Sequence, residues 1–156
     1  MTTDTISDAH RSTEAANQQL IRRLYDECIT SGRLELLPEL IADDYVGPRG
    51  ERGPDGFAGP LRGLRAGFPD IHFTIEDLIA QGDRVSVRWS WRATHTGTFN
   101  GLAPTGKALT NTGMAVYRLA HGKVAQSWVE TDRLGALQQL GLVSDSIGRP
   151  PMPPRS

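Results

Sequence analysis

Hydrophobic and polar positions recur along this chain with two different periods. From Glu14 to Ser31 the apolar residues Leu20, Ile21, Leu24, Tyr25, Cys28 and Ile29 fall three and four apart. That spacing places them on one face of an α-helix, with Gly32 as its C-terminal stop. A short second helix is predicted over Leu34 to Ile41, and Asp43-Asp-Tyr-Val46 reads as the start of a first short strand. Gly47 to Gly56 holds too many Gly and Pro for either element. It is read as a loop and a candidate pocket lid, followed by a third helix over about Phe57 to Gly67.

After Phe68-Pro-Asp70 the period changes to two. Ile71, Phe73, Ile75, Leu78 and Ile79 precede a turn at Gln81-Gly-Asp83, and then Val85, Val87, Trp89, Trp91 and Ala93 alternate with Ser86, Arg88, Ser90, Arg92 and Thr94. Such alternation gives a strand one apolar face and one wet face. Two more strands, about Ala108 to Leu119 and Lys123 to Asp132, are joined by a hairpin turn at Ala120-His-Gly122, and a closing helix over Arg133 to Leu140 ends at Gly141. Helices first and strands after predict an α+β fold, in which N-terminal helices pack on one face of a curved antiparallel sheet and enclose a mostly apolar pocket. The folded domain is placed at 14–143. Residues 1–13 are polar and aperiodic and are expected to be disordered, and 144–156 form a Pro-rich flexible tail.

Composition narrows the function classes. A chain of 156 residues fits one domain, large enough to bury about two thirds of its unfolded surface. Seventeen Lys and Arg against eighteen Asp and Glu give a net charge of −1, with the signs interspersed, so no footprint for nucleic acid is present. No apolar run approaches the ~20 residues that span a bilayer, and the polar start lacks the core of a signal peptide. Neither membrane insertion nor export is expected. The single cysteine, Cys28, has no partner in the chain and is read as a structural residue, which suits a reducing cytoplasm.

Few side chains are left for chemistry. His10, His72, His95 and His121 are scattered, with no metal-ligand spacing, so no metal is expected. Neither a phosphate-binding glycine loop nor a nucleophile elbow is present. His95 follows Trp89 and Trp91 at period two and shares their face, as an acid–base group or a hydrogen-bonded structural histidine. Trp89 and Trp91 are core residues or the wall of a cavity for a flat ring. Asp132 stands where the last strand meets the last helix and reads as an N-cap. Glu130 and Asp132 share a strand face with Trp128. Turned inward, a carboxylate there would have a raised pKa and serve as a general acid or base; turned outward, it is a solvated edge.

The segments Phe68-Pro-Asp-Ile-His-Phe-Thr-Ile-Glu-Asp-Leu-Ile79, Gly82-Asp-Arg-Val85, Thr94-His-Thr-Gly-Thr-Phe-Asn-Gly-Leu-Ala-Pro-Thr-Gly-Lys107, Tyr117-Arg-Leu-Ala-His-Gly-Lys-Val124 and Trp128 to Gly141 together resemble the SnoaL-like polyketide cyclases. These are α+β cones of the nuclear-transport-factor-2-like superfamily. The resemblance spans about Gln18 to Leu142. It implies ring closure of a small apolar polyketide-type substrate without metal or cofactor, by an aspartate that removes a proton beside a carbonyl and an assisting histidine. Those two positions fall on Val129 and Ala115, which cannot move a proton. Either Glu130 or Asp132 replaces the lost carboxylate, or the pocket works by shape, as in pericyclic or heterocycle-forming closure, with His95, Asn111 and Tyr25 as hydrogen-bond donors.

The substrate surface implied is Tyr25, Trp89, Trp91, Asn111, Ala115, Trp128 and Val129. The resemblance also implies a homodimer through the exposed sheet face, made partly polar by Arg88 and Arg92. Alternatives on the same fold are a non-catalytic small-molecule binding or accessory protein, and an enzyme of the epoxide-hydrolase or ketosteroid-isomerase kind.

Overall fold

The structure, a computed structural model, describes residues 2–148. Helix α1 spans Thr2–Arg23 and runs directly into a π-helical stretch, Leu24–Thr30. It begins well ahead of Glu14, where apolar periodicity starts. Residues 5–13 are exposed and so carry no periodic signal; local contacts such as Arg11 to Ser7 and Thr13 to the Ala9 carbonyl accompany them. Burial begins late in α1, at Asn17 and Ile21, and continues through the π-helical stretch, with Leu24, Tyr25, Cys28 and Ile29 all inward. Burial pushes the Cys28 thiol up to about 11, so it stays protonated and inert. Arg65 donates to the carbonyls of Ile29 and Thr30 at 3.0 and 2.8 Å, satisfying acceptors that the helix end leaves free. Gly32 then stops the helix with φ +73°.

A single 3₁₀ turn, Leu34–Leu36, leads into α2, Leu37–Leu40, and β1, Ile41–Val46. Helix α3, Gly53–Gly67, starts four residues earlier than the glycines suggest, because Pro54 occupies its first turn, where a missing N–H costs nothing. The predicted loop thus shrinks to residues 47–52. Four strands follow, β2 His72–Gln81, β3 Arg84–Thr94, β4 Ala108–Ala120 and β5 Lys123–Thr131, and α4, Arg133–Gln139, closes the order.

The sheet order is β1-β5-β4-β3-β2. Strands β2 to β5 form the expected antiparallel meander, but β1 lies parallel to β5. The sheet is therefore mixed rather than antiparallel, and it is open rather than a closed barrel, with β1 and β2 at its edges. Parallel pairing follows from the long route through α3 and three strands that separates β1 from β5; no short turn sets their relative direction. The β4–β5 turn is tight, with His121 at φ +52° and Gly122 at φ +72°, the left-handed pair that matches strand twist in a two-residue hairpin.

Two irregularities decide which side chains face inward. On β2 the register shifts between Ile75 and Asp77, so the inner face passes from Phe73 and Ile75 to Leu78 and Ala80. Ile79 is consequently on the outer face and 65 % exposed. On β5 a shift opposite Arg118 and Leu119 leaves Ser127, Val129 and Thr131 on the inner side. The core lies between this inner face and the helices, with Ile21, Leu24, Leu37, Val85, Val87 and Val124 fully buried. Of the tail, residues 145–148 form a turn and 149–156 lie outside the described residues. No described helix is long and apolar enough to cross a membrane.

Candidate active site

Between the helices and the inner sheet face is a cavity of about 820 Å³, ample for a ligand of several fused rings. Its wall begins with the aromatic side of β3. Trp89 packs edge-on against Phe73 with ring centroids 5.1 Å apart, and Trp91 packs on Phe68 at 5.4 Å. Tyr25, delivered by the π-helical turn, meets both Phe73 and Tyr117 edge to face. These contacts lock the rings against one another and make a stiff apolar wall.

Buried polar atoms interrupt that wall in a small patch. The hydroxyls of Tyr25 and Tyr117 are hydrogen-bonded at 2.9 Å, and those of Tyr45 and Ser127 at 2.7 Å. Burial pushes the phenols of Tyr25, Tyr117 and Tyr45 above their ordinary range, so all three keep their hydrogens at neutral pH. Asn111 accepts the Thr112 N–H through Oδ1 at 2.8 Å, which leaves its amide nitrogen as the free, donating end.

Glu51 is the one carboxylate among the described residues of the cavity wall. Burial raises its carboxyl, but backbone N–H groups at Glu51 and Arg49 and the Arg49 guanidinium outweigh this and hold it below the usual range. Its Oε2 accepts the Arg49 N–H at 2.8 Å and its Oε1 the Arg49 Nε at 3.1 Å. A carboxylate so held is a poor proton acceptor at neutral pH.

The family model of the SnoaL-like polyketide cyclases matches residues 19–140, most of the chain and nearly all of the cavity wall. The chain belongs to the SnoaL-like polyketide cyclase family. This SnoaL-like chain is 27 % identical over 129 residues to the aklanonic acid methyl ester cyclase DauD of Streptomyces sp. (strain C5), a match covering 78 % of this chain and 80 % of DauD. Among solved structures, TsrD from Streptomyces laurentii superposes with TM-score 0.76 at 26 % identity, covering 83 % of this chain and 97 % of TsrD. Wild-type IdmH from Streptomyces antibioticus superposes with TM-score 0.68 at 33 % identity, over 79 % and 96 % of the two chains.

The residues singled out in this SnoaL-like sequence separate into three places. Tyr25, Trp89, Trp91, Asn111 and Val129 line the cavity. Ala115 is buried directly opposite Val129 in the ladder, on the same inner face. Glu130 and Trp128 are on the other side of the sheet: Glu130 pairs with exposed Met114, and the Trp128 ring carries the Arg84 guanidinium at 5.2 Å. Neither reaches the cavity, because each lies one residue from an inward position.

Asp132 also stays outside the cavity wall. It caps α4, its Oδ1 accepting the Gly135 N–H at 2.9 Å. Asp132→Ala is expected to lower stability by about 1 kcal/mol in urea unfolding while ligand affinity is unchanged, since the cap does not touch the cavity.

His95 is fully buried, yet it is absent from the cavity wall. Its Nδ1 accepts the Thr105 N–H at 3.2 Å, which places the ring hydrogen on Nε2, and its backbone bonds to Lys107 and Gly106. With Phe68 packed over the ring at 5.2 Å, His95 pins the segment after β3 to the start of β4. Nε2 has no partner among the described residues.

Sequence reasoning passed over Tyr45, Tyr117, Ser127 and Glu51. Two of these carried a usable signal: Tyr117 lies two residues from Ala115 and Ser127 two from Val129, and period two puts each pair on one face. Among the described residues no group of three or more His, Cys, Asp or Glu is placed to hold a metal ion.

Proposed function

We propose that this protein is a cofactor-independent cyclase of an apolar polyketide-type intermediate, closing a ring mainly by holding the chain of its substrate in a reactive shape. The observation that carries this reading is the wall itself. It offers stiff aromatic surface and neutral hydroxyls, with Val129 and Ala115 on the inner face where the family resemblance puts a proton-transfer pair. The family match and the cyclase relatives support ring closure as the reaction class.

Holding a flexible chain in a near-attack conformer supplies several kcal/mol of the barrier without any charged group. The aromatic rings exclude water from the folded substrate, and the hydroxyls and the Asn111 amide fix the position of its oxygens.

Incubation of purified protein with linear polyene and polyketone intermediates, followed by liquid chromatography with mass spectrometry and NMR of any new peak, tests this. A ring-closed isomer of unchanged mass is expected. Turnover should survive Glu130→Gln and Asp132→Asn, and Trp89→Ala should lower it by about tenfold or more through lost positioning. No product from any such intermediate, or loss of turnover in the Glu130 or Asp132 variant, would overturn it. Among the described residues the wall carries no carboxylate besides the Arg49-bound Glu51, which favours one second reading, a binding protein of the same fold. It would show ligand-induced melting shifts without product.

A further inference from the structure

The buried patch holds more hydroxyl hydrogens than its hydrogen bonds use. Tyr25 and Tyr117 bring two hydroxyl hydrogens to one bond of 2.9 Å. Whichever oxygen donates, the hydrogen of the other has no acceptor among the described residues. The Tyr45–Ser127 pair repeats the arrangement, and the two pairs are neighbours because Ser127 stands opposite Tyr117 in the β4–β5 ladder. All four residues line the cavity. Buried hydroxyl hydrogens without acceptors are costly, and natural structures rarely leave them so. Asn111, buried on the same strand as Tyr117, adds an amide nitrogen whose own oxygen is already engaged by Thr112.

We infer that the Tyr25–Tyr117 pair is a polarising site for a ketone oxygen of the ligand, with the Asn111 amide and the Tyr45–Ser127 pair as further donors to a second oxygen. The chemical meaning of this site rests on the cyclase reading, but binding at it does not. A hydroxyl that accepts one hydrogen bond donates a stronger one, so the pair acts as a unit. Burial raises both phenols, which keeps the donor uncharged and protonated across neutral and mildly alkaline pH. A carbonyl polarised this way is more electrophilic at carbon, and its neighbouring C–H bonds are more acidic, whatever ring closure follows.

The test uses 9-fluorenone and fluorene, flat three-ring probes that differ in one carbonyl oxygen, titrated into the full chain by quenching of tryptophan fluorescence. An apolar cavity without donors favours fluorene, since the ketone would lose its water without replacement. The ratio of fluorenone to fluorene affinity is expected to fall about tenfold from wild type to the Tyr25→Phe/Tyr117→Phe double variant. Each single variant should fall less, because the remaining hydroxyl can still turn its hydrogen to the ligand. A ratio that is the same in wild type and double variant would overturn the inference.

Should the double variant fail to fold, the carbonyl stretch of bound fluorenone in wild type decides. A shift to lower frequency than in alkane solvent is expected, and an alkane-like frequency would overturn the site. Both measurements run without turnover. A missing cyclisation product therefore leaves this site standing, and an unpolarised ketone leaves the cyclase reading standing.

Discussion

Gly97→Ala should lower stability by about 3 kcal/mol, a drop in melting temperature of roughly 10 °C for a domain of this size. Gly97 and Thr96 both donate their N–H groups to the Gly67 carbonyl, at 3.1 and 3.2 Å, and so press the segment after β3 onto the C-terminus of α3. A methyl group at position 97 would meet the Ala66 carbonyl, with the oxygen in hard overlap and the carbon at 3.0 Å. Helix backbone cannot swing aside as a side chain can. Gly67 is in the same grip, since a Cβ there would lie 2.5 Å from Phe99 Cβ. Phe99 in turn packs on Phe68, so this glycine contact sets part of the cavity wall. Gly63→Ala is the control: it lies in the same helix with open space where its Cβ would be, and should be neutral or slightly stabilising. A melting temperature for Gly97→Ala within a degree or two of wild type would refute the argument.

Much of the fold was legible because its signals are local. The β3 alternation predicts a strand with Trp89 and Trp91 inward, and both are buried. Ala120-His-Gly122 predicts a tight hairpin, and β4 and β5 are joined there. What local pattern cannot carry is long-range pairing. Nothing in Ile41 to Val46 announces that β1 will lie parallel to a strand beginning at Lys123. Bulges are a middle case. The step of three from Ile75 to Leu78 marks the register shift on β2, but reading straight through it counts Ile79 as inward when it is solvent-exposed.

The same distinction explains the site. Whether Val129 or Glu130 faces the cavity is a parity question on β5 that the strand alone leaves open, because both neighbours of every residue share the opposite face. The pairing of Val129 with Ala115 decides it, and that is tertiary information. Asp132 was legible as a cap because capping is local. Glu51 was hidden in a glycine-rich loop whose compact turn, closed by the Gly47 N–H to the Glu51 carbonyl at 2.9 Å, has no period to read. The hydroxyl pairs are legible only once Tyr25 of the π-helical stretch is brought against Tyr117 of β4, a contact between residues far apart in the chain.

Gly113→Ala should cost about 2 kcal/mol and weaken binding of flat aromatic ligands, for a reason that ties the sheet to the cavity. Gly113 is opposite Trp89 in the β3–β4 ladder, and the indole lies over it. A Cβ at 113 would overlap the six-membered ring of Trp89, and would also stand 2.6 Å from the Glu130 carbonyl oxygen. The first clash can be relieved only by turning the indole into the cavity, where it takes ligand space; the second requires the β4–β5 backbone to part. A double variant separates these contributions. Trp89→Phe removes the part of the ring that the methyl meets, so Gly113→Ala should cost less in that background, with a coupling of about 1 kcal/mol in chemical unfolding. The Glu130 carbonyl remains, and so the rescue should be partial. Additive losses would mean that the indole does not rest on Gly113, whereas full rescue would mean that the backbone contact carries no cost. Additivity alone would remove the ground for treating this glycine as the residue that sets how far Trp89 stands from the ligand.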